Sequence, residues 1–246
     1  MAYLTNDDNL EIARGNIDRL SVVNIFGSNT SSADGAEEDI WNGGGTYSFP
    51  ATALITSLSQ TADQAALRGG TIEVQGLDAD WNQVVQNKNL DLTLTTNVVT
   101  LDTPLIRVFR ARVLENVVSA SPIRVHNAGE TVDYAIINTG DNQTLMAIYT
   151  VPNGKTAYMT HYFCDYGRDI VKDPYSIDFR LMAADRLNGY AFQIKHKKGL
   201  PKQASGFQHD FKPYNKFTER TDIKMSSIAD GAAAHVHGGF DIILEG

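Results

Sequence analysis

The sequence predicts an all-β fold: an antiparallel β-sandwich, jelly-roll-like, with an N-terminal arm. Three observations carry that prediction. About a dozen short segments alternate apolar and polar residues with a period of two. Turn-forming Gly, Asn, Asp and Pro separate them at intervals of roughly 8–14 residues. Hardly any segment between them has a helical pattern, so crossover helices are missing and neighbouring strands must run mostly antiparallel.

Residues 1–27 read as the arm, a short helix followed by a strand. Asn6-Asp7-Asp8-Asn9 can cap a helix with apolar positions Leu10, Ile12, Ile17 and Leu20, interrupted by Gly15. Ser21 to Phe26 then reads as a strand, and an ordinary first helix and strand would fit the same residues. Residues 27–46 are rich in turn formers, ending in Trp41-Asn42-Gly43-Gly44-Gly45, and predict a long exposed loop. From Tyr47 onward the pattern is β. Residues 71–75, 90–95, 105–113 and 131–137 alternate, the last closing on the turn Asn138-Thr139-Gly140-Asp141. Residues 144–151 stop at Pro152-Asn153-Gly154-Lys155, a strong turn signal. Residues 157–165 are aromatic-rich, 176–183 and 190–195 alternate again, and His235-Val236-His237 leads through Gly238-Gly239 into a strand at 240–245. Within this β region only residues 59–67 read as a helix or helical turn. Residues 28–246 are thus expected to form the sandwich, divisible near 140–144 into two sub-domains. No repeat of roughly 20–50 residues runs through the chain, which disfavours a propeller or solenoid.

Composition narrows the function classes. The 246 residues are 42% hydrophobic and 20% charged, enough for a real core and too apolar for global disorder. A net charge of −8 argues against nucleic acid as the main partner. The lone Cys164 excludes an internal disulfide framework and any Cys-based zinc site. The N-terminal residues lack a basic and apolar leader pattern, and no apolar run reaches the ~20 residues of a membrane span, so neither a secretory signal nor a membrane partner is expected.

Catalytic signatures are missing: no nucleophile elbow, no phosphate-binding loop and no dinucleotide fingerprint follows a strand. His235 and His237 share one face of a strand and could reach one ion, as in cupins. The carboxylate and third histidine of that motif are lacking, so two surface or interface histidines are the plainer reading. Cys164 reads as a buried structural thiol. The carboxylates of 34–39 and 78–80 do not match calcium-loop spacing. Trp41 and Trp81 lie beside turns, where they anchor strand ends in a core or, if exposed, stack on sugar. We expect no enzyme activity, no metal and no cofactor.

Charge is unevenly distributed. Residues 195–224 hold eight basic and three acidic side chains, a net +5 on a chain whose remainder is −13. Aromatic residues are interleaved with them. Lys195, Lys197, Lys198, Lys202, Phe207, Phe211, Lys212, Tyr214, Lys216 and Arg220 are therefore the candidate contact residues for a neighbouring acidic subunit. A solvated loop, or a nucleic-acid or glycan site, fits the same pattern.

Five segments together carry a family resemblance: the first ten residues (MAYLTNDDNL), 41–50 (WNGGGTYSFP), 72–81 (IEVQGLDADW), 105–113 (LIRVFRARV) and 144–158 (TLMAIYTVPNGKTAY). Over most of its length the chain resembles a group of virion structural proteins of tailed bacteriophages, common among phages of aquatic bacteria. The resemblance implies a part of the virion assembled in the host cytoplasm and carries no functional residues. It fits a capsid decoration or cement protein that binds the assembled head, with the major capsid protein, other virion proteins and further copies of itself (as a homotrimer) as partners. A neck, collar or tail accessory protein fits it too. A host-glycan-binding or depolymerase tail protein is the alternative of another class.

Overall fold

The computed structural model describes residues 8–60, 70–90, 98–119, 121–167, 174–202, 204 and 206–246. Among them are sixteen strands and one six-residue helix, α1 (Asp8–Ala13). Of the helix expected at 59–67, residues 59 and 60 are strand instead and the rest lie outside the described residues, as does the strand expected at 90–95 beyond Leu90.

Eight strands build the main body. β1 (Leu20–Ser32), β11 (Thr156–Gly167), β14 (Phe207–Phe217) and β16 (Ala234–Glu245) form one sheet in the order β1-β16-β11-β14. β10 (Ile148–Thr150), β12 (Ser176–Asp185), β13 (Gln193–Pro201) and β15 (Thr221–Asp230) form the second, in the order β10-β15-β12-β13; β2 (Glu37–Asp39) extends it beside β15. All pairings are antiparallel. Two four-stranded sheets in these orders are the jelly-roll arrangement expected from the sequence. Period-two alternation drives it. On β16 Val236, Phe240, Ile242 and Leu244 point inward and are buried, with Tyr149, Tyr162, Phe179, Phe217 and Met225 packed against them or beside them in one core.

Residues 20–27, expected in an arm, instead lie within the sheet. β1 pairs with β16 from Leu20↔Glu245 to Asn29↔Val236. The Ser-Asn-Thr-Ser-Ser run that reads as a turn continues the strand because its buried polar groups find partners: Ser32 Oγ lies 2.8 Å from Ser227 Oγ, and Asn29 donates to Glu38 at 2.9 Å. The exposed loop expected at 27–46 likewise holds β2 and the buried Ile40 and Trp41.

Between β2 and β10 the chain builds a second sandwich. β3 (Ile55–Gln60), β6 (Val98–Leu105), β8 (Ile123–Asn127) and β9 (Asp133–Ile137) form a sheet in the order β6-β3-β8-β9. β4 (Gly70–Leu77), β5 (Gln83–Leu90) and β7 (Arg107–Val113) form another, in the order β5-β4-β7. Ile55, Leu58, Ile72, Val74, Leu90 and Leu101 fill its own, mainly aliphatic core. The chain passes into this unit through 41–47 and leaves it by 143–147.

The inserted unit lies against one flank of the jelly roll, where β1 and β10 are. Leu77, Ile106 and Phe109 join the jelly-roll core, and the Phe109 and Tyr149 rings sit 5.1 Å apart. Arg110 donates to the Asn24 carbonyl of β1 at 2.7 Å, and Asn153 N–H to the Trp81 carbonyl at 2.8 Å. Gly27 and Gly76 mark the closest approaches. A Cβ at Gly27 would collide with the backbone of Ile40 and Ala147, and one at Gly76 with that of Arg107.

Candidate interaction surface

The opposite flank is open. Among the described residues β13 pairs only with β12 and β14 only with β11, so each sheet ends there in a strand with one free edge. Free edges template pairing with other chains unless guarded by lysines, bulges or proline. All three guards are present. β13 carries Lys195, Lys197 and Lys198 and has a register shift opposite Leu181/Met182; β14 carries Lys212, Pro213 and Lys216 and a shift opposite Met159/His161.

Side chains close the seam between the two edges. His196 of β13 stacks on His209 of β14 with ring centroids 4.5 Å apart. Phe211 meets His209 edge-on at 4.7 Å, and Tyr162 Oη lies 2.7 Å from His196 Nδ1. Lys198 Nζ lies 4.8 Å over the Phe207 ring. Burial holds the His196 pKa below its ordinary value, with His209 and Lys198 pushing the same way.

The structure gathers most of the expected contact residues on this flank, and gives several of them internal work. Lys195, Lys212, Tyr214 and Lys216 are exposed. Lys197 pairs with Asp178 at 2.7 Å, and Lys202 lies 5.9 Å over the Tyr175 ring. Phe207 is half-buried in the seam. Phe211 is only 6% exposed and belongs to the core. Arg220 sits in a turn and donates to Asn153. The +5 charge is therefore not all on the surface. Lys224 and Asp222 of the same segment are buried: Lys224 pairs with Asp39 at 2.7 Å, and burial nevertheless raises the Asp39 pKa.

Asp222 anchors the junction with the inserted unit. Arg107 of β7 grips it through two hydrogen bonds of 2.8 and 2.9 Å, Arg186 adds a contact of 2.5 Å, and Thr150 donates at 2.6 Å. Arg107 also lies over the Trp81 and Phe49 rings at 4.8 and 5.3 Å. Sequence reading could not find this network, because Arg107 and Asp222 are 115 residues apart and each looks like an ordinary strand charge.

The outward face of β1-β16-β11-β14 was also invisible in the sequence, since register alone sets its rows. From one end these are Leu20–Glu245–Thr156, Val22–Ile243–Tyr158–Lys216, Asn24–Asp241–His161–Asp210, Phe26–Gly239–Phe163–Gln208 and Ser28–His237–Asp165. Asn24 donates to Asp241 at 2.6 Å, and His161 Nδ1 lies 2.8 Å from Asp210. Leu20, Tyr158, Tyr214, Ile243 and Glu245 line a shallow groove of about 300 Å³.

His235 and His237 lie on this same outward face, their rings 4.4 Å apart, while the inward position between them is Val236. A cupin-like site would need them pointing into the barrel, which here is filled by the core. Ser28 Oγ lies 3.0 Å from His235 Nε2. Among the described residues no three His, Cys, Asp or Glu side chains are placed to hold a metal ion. Cys164 is buried, and burial pushes its thiol pKa up to about 12, which leaves no thiolate at neutral pH. Neither tryptophan offers a sugar platform: Trp41 is 6% exposed and packs edge-on against Tyr47 at 5.2 Å, and Trp81 lies under Arg107. Among the described residues no helix is long and apolar enough to cross a membrane.

No protein-family model matches the chain, and no curated protein does. Among solved structures, the structure of the infectious bursal disease virus Gt strain aligns with 92% of this chain and 72% of its own at 8% identity, with a TM-score of 0.21. The VP2 subviral particle of infectious bursal disease virus aligns with 93% of this chain and 77% of its own at 7% identity, with a TM-score of 0.18. Superpositions this poor carry no argument about fold or function.

Proposed function

We propose that the protein is a non-enzymatic virion structural protein of a tailed bacteriophage, a decoration or cement protein of the assembled head. The observation that carries this reading is the asymmetry of the jelly roll: one flank is closed by the inserted unit, and the other presents two free, lysine-bearing strand edges. Such a flank suits docking on an acidic lattice, where lysines steer the approach and choose the partner. The sequence resemblance supplies the virion. The fold by itself does not, since jelly rolls host capsid, lectin and enzyme functions alike. Stabilisation of the head then follows from binding the assembled lattice in preference to its free subunits.

The test is incorporation into particles. Lys195→Glu, Lys197→Glu and Lys212→Glu together are expected to leave a folded protein that no longer enters heads. Wild-type incorporation of that variant would sink the docking role of this flank. Copy number per particle separates the head from a neck or tail position: many copies over the shell support the proposal, and a single small ring overturns it.

A further inference from the structure

We infer that the outward face of β1-β16-β11-β14 is a self-association face, on which a second copy of this chain packs sheet to sheet about a two-fold axis parallel to the strands. The inference does not rest on the virion reading and concerns the outward sheet face rather than the strand edges, with Lys216 and Tyr214 of β14 on the rim that the two share.

Three observations lead there. First, one end of the face is apolar and open. Val22 and Tyr214 are 47% and 46% exposed; Tyr214 lines the shallow groove with Leu20, Tyr158 and Ile243, and Val22 stands beside Ile243 in the register. Second, the charges of the same rows are arranged for a copy turned about the strand direction. Lys216 stands on β14 at one edge, and Glu245 and Asp241 stand on β16 towards the other. Rotation about an axis along the strands carries the β14 side of one copy over the β1-β16 side of the next. Lys216 of each copy then lands on Val22 of its mate, one strand and one row from Glu245 and within a lysine's reach of it, and Tyr158 lands on Ile243. A two-fold interface requires this kind of self-complementarity. Rotation about an axis across the strands would set β14 on β14 and lysine on lysine. Third, the area suffices. Four strands about 4.8 Å apart, over about ten residues at ~3.4 Å each, give roughly 600 Å² per copy. Two faces together bury roughly 1,200 Å², the lower end of stable, specific interfaces. The pairing predicted here is two-fold, whereas the oligomer expected from the sequence is a trimer.

The experiment is sedimentation equilibrium of the purified full-length chain at neutral pH across a concentration series. A reversible dimer is expected. Lys216→Glu and Glu245→Lys should each weaken it about tenfold or more, and the double reversal K216E/E245K should restore it to within about threefold. Val22→Arg should give monomer whose melting temperature equals that of the parent measured at a concentration low enough for the parent to be monomeric. A wild-type monomer at 100 µM (a concentration set by the experimenter, on the order of a weak-interface Kd) would overturn the inference. So would a trimer, a dimer indifferent to all three substitutions, or two single reversals that the double reversal fails to rescue. None of these outcomes touches particle incorporation, so this inference and the proposed function stand or fall separately.

Discussion

The two flanks of the jelly roll solve the same problem in opposite ways. On the β1/β10 flank the free edge is covered by protein: Arg110 takes up the Asn24 carbonyl, Phe109 packs on Tyr149, and Arg107 reaches across to the buried Asp222. On the β13/β14 flank the edges stay uncovered and are defended by lysines, irregular register and a proline, with aromatic rings plugging the seam. Covering an edge with a folded unit commits that side to the interior of the molecule. Guarding it with charge leaves it soluble and free to choose a partner. The difference marks which side of the molecule is finished and which is available.

The comparison breaks most severely at the covered flank. Asp222→Ala leaves Arg107, itself only 4% exposed, without its counter-charge in a site that excludes water. Loss of one partner from such a pair costs about 3–5 kcal/mol. Because the network joins two separate cores, calorimetry is expected to resolve two transitions in the variant where the parent shows one. One unshifted transition would mean that Phe109 and the backbone contacts already suffice to hold the units together.

At the guarded flank the largest effect belongs to the plug. Phe211→Ala removes a buried ring from the seam and is expected to cost about 3 kcal/mol in urea unfolding, at the low end for such truncations because a free edge can settle inward. Both flanks should remain folded at 25 °C. A loss under ~0.5 kcal/mol would show that the seam is decorative and that the edges hold themselves.

How much of this could be read from the sequence follows from the range of each signal. Alternation is local, so the strands at 176–183 and 240–245 are legible, and with them the all-β class and the jelly roll, whereas the strand expected at 190–195 catches only the first residues of β13, which runs from Gln193 to Pro201. The inserted unit is not legible as an insertion, because both sandwiches use the same period of two: the turn formers at 41–45 read only as a loop, and the division expected near 140–144, beside the exit at 143–147, does not say which strands belong together. Asn29 and Ser32 look like turn formers, and only their partners Glu38 and Ser227, far along the chain, make them strand. The basic stretch is legible as a stretch, yet alternation within it sends Phe211 and Lys224 inward while Lys195 and Lys216 stay outside. Rows across the outward face need register, which no single strand encodes.

Acidification should act on the guarded flank before the covered one. The folded seam favours neutral His196, whose pKa is depressed by burial and by His209 and Lys198, while the unfolded chain protonates it near its ordinary value of about 6.5. Protons then bind the unfolded state preferentially, so this contribution is intact above about pH 6.5 and is lost progressively as pH falls towards the depressed value, below which nothing further is lost. The groups around it are Tyr162 on β11, Lys198 on β13 and His209 on β14, with His235 apart on the outward face. His196→Phe removes the titration while keeping a ring in the seam. The drop in melting temperature between pH 7 and pH 5.5 should shrink in that variant, and an unchanged drop would move the acid sensitivity elsewhere.

The smallest expected effect on stability is the most informative about purpose. Lys195→Thr and Lys197→Thr remove two guards from the β13 edge while keeping its strand propensity. Lys197 does pair with Asp178, but both partners are exposed, and such pairs contribute little. The melting temperature should therefore move by no more than about 0.5 kcal/mol would cause. What should change is behaviour at high concentration: light scattering is expected to grow with time in the double variant and stay flat in the parent, because a free strand edge without charge recruits its own kind. If both stay flat, the register shift and the remaining Lys198 protect the β13 edge. Lys195 and Lys197 would then be surplus to solubility, and recognition of an acidic partner would remain as the reason for keeping them there.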